Sequence, residues 1–229
     1  MRNKKYVLTD MLNITLIGTV HSDNGKCNSD ELYKIIESIN PEVIFEELSN
    51  DLFNSFYKGK MISDEPLEIK CIKNYLLNNN IKHIPVDIDV STNLSTGEIN
   101  YMFDTFKKYD VYRKLENEQY LLTAREGFTY LNSKKCSELF NKKKATEKKL
   151  LGFEINRNTL FRIYKLFHEE HDERENAMLQ NIYNYSKENQ YKQAVFLIGT
   201  AHRNSIMKKI TEFQMKEKLK LNWIFYYNE

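Results

Sequence analysis

The chain has 229 residues, of which 41% are hydrophobic and 29% charged, and its formal net charge is +2. That length suits one domain with room for an insertion, and the balance is that of a globular protein rather than a disordered or fibrous one. So small a net charge argues against nucleic acid as a partner, and no apolar run approaches the roughly 20 residues that cross a bilayer, so no membrane contact is expected.

In chain order, a basic start (Met1-Arg2-Asn3-Lys4-Lys5) is followed by Tyr6-Val7-Leu8-Thr9-Asp10, which is too polar for the apolar centre of a secretory signal. Three cysteines, Cys27, Cys71 and Cys136, are odd in number and lie far apart, with no Cys-x-x-Cys pair. This is not a disulfide framework. The expectation is a cytoplasmic protein.

Residues 13–18 form an apolar, β-branched run that predicts a strand. Leu32, Ile35, Ile36 and Ile39 recur at helical spacing up to Asn40-Pro41, which stops the helix. Val43-Ile44-Phe45 predicts a second strand that ends in Glu46-Glu47. A helix over about 67–78 and a strand over 82–87, ending at Asp87 with Asp89 just beyond, complete the first third. Alternating strands and helices predict right-handed crossovers and a mixed, mostly parallel central sheet with helices on both faces.

From about 91 to 167 the pattern changes to Tyr, Phe, Lys and Glu without a clear strand. This stretch reads as a helical insertion or cap within a single α/β domain spanning 1–229. Its aromatic residues are expected mainly in packing, with a ligand surface or a homodimer interface as alternatives. Lys142-Lys143-Lys144 and Lys148-Lys149 read as a solvated helix face. A helix over about 167–189, a strand at 194–198, a helix at 205–218 and a last strand at 221–226 restore the α/β alternation.

One phrase occurs near both ends of the chain. Gly18-Thr19-Val20-His21 follows one apolar run, and Gly199-Thr200-Ala201-His202 follows another. The shared wording predicts that the same local structure presents both histidines at strand carboxyl ends, where open α/β sheets bind ligands. Glu46, Glu47, Asp87 and Asp89 end the strands between them in sequence. Two imidazoles with carboxylates suit a divalent metal, and equally suit acid–base chemistry without one. Arg174, Met178 and Ile182 share a helix face, so the guanidinium is placed either over the sheet edge as an anion or oxyanion donor or in a salt bridge with Glu170 or Asp172. His168-Glu169-Glu170-His171 lacks the i, i+4 spacing of a zinc helix and reads as solvated. His83 is expected to pack or cap its strand. Ser22 has no nucleophile elbow around it.

Four segments together resemble the TraB/PrgY/GumN family: Gly18–His21; Pro41-Glu42-Val43-Ile44-Phe45-Glu46-Glu47-Leu48; Glu173-Arg174-Glu175-Asn176-Ala177-Met178; and Gly199–His202. The motifs cover the two ends of the chain and not its middle. The resemblance implies an α/β domain of the kind shared with Tiki metalloproteases, erythromycin esterases and ChaN-like haem-binding proteins. It implies His21, Glu47 and His202 as ligands of one divalent cation (Mn, Zn or Co), with Arg174 as a further catalytic-site residue. The chain departs from the TraB pattern after Glu47, where Ser49-Asn50-Asp51-Leu52 replaces a commonly found arginine. The function so expected is metal-dependent hydrolysis of an amide, peptide or ester bond, on a peptide or small-molecule substrate. The alternatives are a metal-independent esterase with a histidine base, and a non-catalytic protein that sequesters a peptide or a haem-like ligand.

Overall fold

The computed structural model describes residues 11–59, 65–90 and 94–227. The N-terminal segment read above for a signal, and residues 91–93 at the start of the predicted insertion, lie outside the described residues. Among the described residues no helix is long and apolar enough to cross a membrane.

Five strands form one sheet: β1 (Asn13–Thr19), β2 (Val43–Glu46), β3 (Lys82–Pro85), β4 (Gln193–Gly199) and β5 (Asn222–Phe225). Their order is β3-β2-β4-β1-β5, and every pairing is parallel. The α/β class is therefore as expected, with an entirely parallel sheet. Alternation along the strands sorts two cores. Ile14 and Leu16, Val43 and Phe45, and Ala194, Phe196 and Ile198 face one side; Ile17, Ile44, Val195 and Leu197 face the other.

The helices cover both faces. On the second face lie α1 (Ser29–Ile39) and α3 (Leu67–Asn78), which contribute Leu32, Ile36, Leu67, Cys71, Ile72 and Tyr75. Asn28 caps α1 by accepting from the Glu31 amide, and Asn40, in the left-handed region at φ 50°, ends it. Between β2 and α3 the chain forms α2 (Asn50–Lys58), which the sequence reading did not anticipate. None of its residues is fully buried: Leu52, Phe53, Phe56 and Tyr57 share one face, and Tyr57 packs against the second core.

The insertion is helical, as expected: α4 (Thr96–Lys107), α5 (Asp110–Glu126), α6 (Phe128–Leu131) and α7 (Lys134–Leu151). Its boundary is not at 167, because α8 runs unbroken from Arg157 to Glu188. Leu160, Ile163 and Tyr164 pack in the insertion's own core with Met102, Phe106 and Tyr112, while Met178, Leu179, Ile182 and Tyr183 pack under the sheet. One 32-residue helix thus serves two cores. Its polar middle hides the continuity, since residues 168–173 face neither core. The last helix, α9 (Thr200–Lys216), starts immediately after β4 rather than at Ser205.

Candidate functional site

β1 and β4 are neighbours, with Thr19 paired to Gly199, so the two repeated phrases do end side by side. They do not present their histidines alike. After β1 the chain leaves the sheet as a loop, and the His21 side chain is 69% exposed. After β4 it turns straight into α9, and His202 lies in the first helical turn with its side chain 7% exposed. A loop points its side chain outward, whereas the first turn of α9 packs its histidine against α8.

Each histidine is held by a carboxylate. The Nδ1 of His21 lies 3.2 Å from Glu68 Oε1, and Thr19 donates to the same oxygen at 2.6 Å. The Leu67 amide donates to the His21 carbonyl at 2.9 Å, fastening the loop to the start of α3. The hydrogen bond that His21 donates to Glu68 raises the His21 pKa above its usual 6.5, against an opposing contribution from burial. The other Glu68 oxygen, Oε2, is buried and has no hydrogen-bond partner among the described residues. On the far side, His202 Nδ1 lies 2.8 Å from Glu175 Oε1, and Ser205 donates to Glu175 Oε2 at 2.5 Å. Hydrogen bonds from His202 and Ser205 outweigh burial and hold the Glu175 carboxyl below its usual range.

Glu47 joins the two halves. Its Oε1 is 3.4 Å from His202 Nε2, and its Oε2 accepts the Gly199 amide at 2.6 Å, at the N-terminus of α9 where backbone N–H groups favour an anion. A Cβ on residue 199 would stand 3.3 Å from that same oxygen, so glycine is what lets the carboxylate approach. Arg174, on α8, donates to Glu47 Oε1 at 3.1 Å and to Asp87, whose Oδ2 accepts from Nε at 3.0 Å and from Nη2 at 2.5 Å and whose Oδ1 accepts from Nε at 3.2 Å. Its salt-bridge partners are therefore strand-end carboxylates and not Glu170 or Asp172. Nε and Nη2 are occupied, and the described residues offer Nη1 no partner.

The other candidates are engaged elsewhere. Glu46 lines the same cavity as Glu47 but is buried and turned to other partners, with His83 Nδ1 at 2.7 Å and Tyr57 donating at 2.6 Å. His83 thus packs against Phe53 and Tyr57, as expected for a structural residue. Asp89 is exposed and makes no ion pair with Arg174. The three cysteines are free and buried, and desolvation pushes Cys27 and Cys71 up to about 12, which makes them poor nucleophiles. His168 and His171 are not solvated, contrary to expectation. Burial lowers both to about 4, and the His171 ring stacks on His202 with 4.7 Å between centroids.

His21, Glu47, Glu68 and Arg174 line one cavity of about 270 Å³, with apolar walls that include Leu48, Leu52, Phe56 and Ile72. As a metal site the predicted trio does not converge. His202 directs its two nitrogens at two carboxylates, His21 turns to Glu68, and the guanidinium of Arg174 already stands against Glu47. Among the described residues no group of three His, Cys, Asp or Glu side chains is arranged to hold a metal ion. The residues that the sequence reading missed are Glu68 and Glu175. Glu175 adjoins Arg174 and could have been weighed with it; Glu68 meets His21 only through the packing of α3 and carries no sequence signal.

No family model matches the chain, and neither a curated protein nor a solved structure is found to be similar to it.

Proposed function

We propose that the chain is a hydrolase of a small ester or amide that uses His21 as its base and needs no metal for the chemical step. The observation that carries this reading is the His21–Glu68 pair at the cavity that Arg174 also lines. Glu68 fixes Nδ1 as the protonated nitrogen, which leaves Nε2 with a lone pair to accept a proton. A water beside Nε2 attacks the substrate carbonyl and gives its proton to His21, and Glu68 stabilises the imidazolium so formed. The uncommitted Nη1 of Arg174 donates to the oxyanion. His21 then returns the proton to the leaving oxygen or nitrogen, and the acid is released. Glu47 and Asp87 hold the guanidinium in place. The apolar walls and small volume suit a short apolar acyl group.

The metal-dependent form of the reading retains one observation in its favour. His202, held from behind by Glu175, faces Glu47, so two of the three predicted donors already oppose each other. Hydrolysis of a panel of short-chain p-nitrophenyl esters and anilides, with and without EDTA, separates the versions. The expected result is EDTA-insensitive turnover that His21→Ala lowers by about 10²- to 10⁴-fold. Loss of turnover in EDTA with recovery on adding manganese or zinc would transfer the proposal to the metal-dependent form. Stoichiometric binding with no product would leave a binding protein.

A further inference from the structure

A second cavity, of about 430 Å³, lies behind His202 between the helical insertion and the start of α9. Its volume falls in the range of small-molecule sites, about 300–1,000 Å³. We propose that it binds a small organic anion with a flat apolar body, independently of the hydrolytic reading of the first cavity.

The body of the ligand follows from the walls. Phe103, Phe140, Phe167 and Tyr164 line the cavity, and the His171 ring, stacked on His202, adds another flat surface. Edges and faces of this kind take a planar ring by offset or edge-to-face contact. His168 also lines the cavity, its ring packed on Tyr164 and Phe167, and its buried Nε2 has no hydrogen-bond partner among the described residues. Tyr164 belongs to the insertion's own core, and Phe103 and Phe167 pack against it, so the aromatic wall of the cavity is held in place by that core.

The charge of the ligand follows from the balance at the rim. The cavity's carboxylates are already engaged: Glu116 with Lys143 at 3.5 Å, Glu175 with His202 and Ser205, and Asp172 with Lys209. Glu147 accepts from Tyr112 at 3.1 Å and from Tyr164 at 3.3 Å. Burial moves its pKa upward, against the opposing pull of the two tyrosine hydrogen bonds and of Lys143 and Lys144. Lys144 and Lys208 line the same cavity, are exposed, and have no ion-pair partner among the described residues. Two exposed lysines without an ion-pair partner among the described residues, over an aromatic chamber, favour an anion with an apolar ring.

The probes are 1-anilinonaphthalene-8-sulfonate and its uncharged relative N-phenyl-1-naphthylamine, titrated into the intact chain by calorimetry and fluorescence at 0.15 M salt. The sulfonate is expected to bind at one equivalent. Lys144→Glu with Lys208→Glu should weaken it by about tenfold, since both positions are exposed and the fold is unaffected. Ala201→Trp, at the cavity mouth, should abolish binding, and the uncharged relative should bind at least tenfold more weakly than the sulfonate. Equal affinity of the sulfonate for the wild-type and both variant proteins, equal affinity for the two probes, or no binding of the sulfonate would each overturn the proposal. None of these measurements depends on catalysis.

Discussion

The two Gly-Thr-x-His turns are the same words in two different grammars. At the end of β1 the phrase opens into a loop, and His21 stands exposed at a cavity with its carboxylate, Glu68, on a separate helix. At the end of β4 the phrase is itself a helix start, and His202 is buried between Glu47 and Glu175. The lesson is that a short motif specifies a turn but not what comes after it. The first histidine lies open at a cavity, whereas the second ties α9 to α8 and to the end of β2.

The sharpest break of this comparison is to remove each ring in turn. His202→Ala leaves Glu175 buried without its imidazole partner and opens a void beside His171, which should cost about 2 kcal/mol and lower the melting temperature by roughly 4–8 °C. His21→Ala, at an exposed loop position, should cost under about 0.5 kcal/mol. Thermal melts of the two variants check this, and equal losses would sink the distinction. The His21 variant's loss belongs instead in turnover.

Acid should act on the buried side first. His168 and His171 have folded pKa values of about 4 against 6.5, so below pH 6.5 the unfolded chain binds protons that the folded chain refuses. Stability is unaffected by this pair above pH 6.5, falls as the pH drops from 6.5 to 4, and falls no further below 4. Lys144 near His168, and His202 and Arg174 near His171, reinforce the burial, while Glu175 opposes it. Allowing for solvent screening, the pair should cost about 2 kcal/mol by pH 4. Urea titrations from pH 7.5 to 4 measure it, and His171→Phe should flatten the slope; an unchanged slope would count against the assignment.

The smallest effect is the finest test of the exposed side. Because Glu68 raises the His21 pKa, the rising limb of kcat/KM against pH should lie above 6.5. Glu68→Gln keeps a hydrogen-bond partner but removes the charge, and should move the limb to lower pH. A limb that stays in place would mean that another group is the base.

The α/β class was legible in the sequence because unbroken apolar runs and period-3.6 apolar patterns report burial directly: Val43–Phe45 and Ala194–Ile198 are buried, as are Leu32 and Ile36, with Ile35 and Ile39 partly buried beside them. The juxtaposition of Glu47 with Arg174 was partly legible, since a strand-end carboxylate and an arginine on a core-facing helix both point to one sheet edge. The amphipathic but unburied α2 and the continuity of α8 through its polar middle were not, because pattern reading detects a helix by the core it faces.

By itself, then, the sequence determined that strands would run to about residues 18 and 198 and that His21 and His202 would follow them, because strand propensity and the Gly-Thr turn act over a few residues. Only the tertiary structure decided which imidazole is exposed and which carboxylate holds it. Glu68 reaches His21 through the packing of α3, and Glu175 reaches His202 through the contact of α8 with α9. Those pairings rest on distances of a few ångströms between side chains that lie tens of residues apart, and no local pattern encodes them.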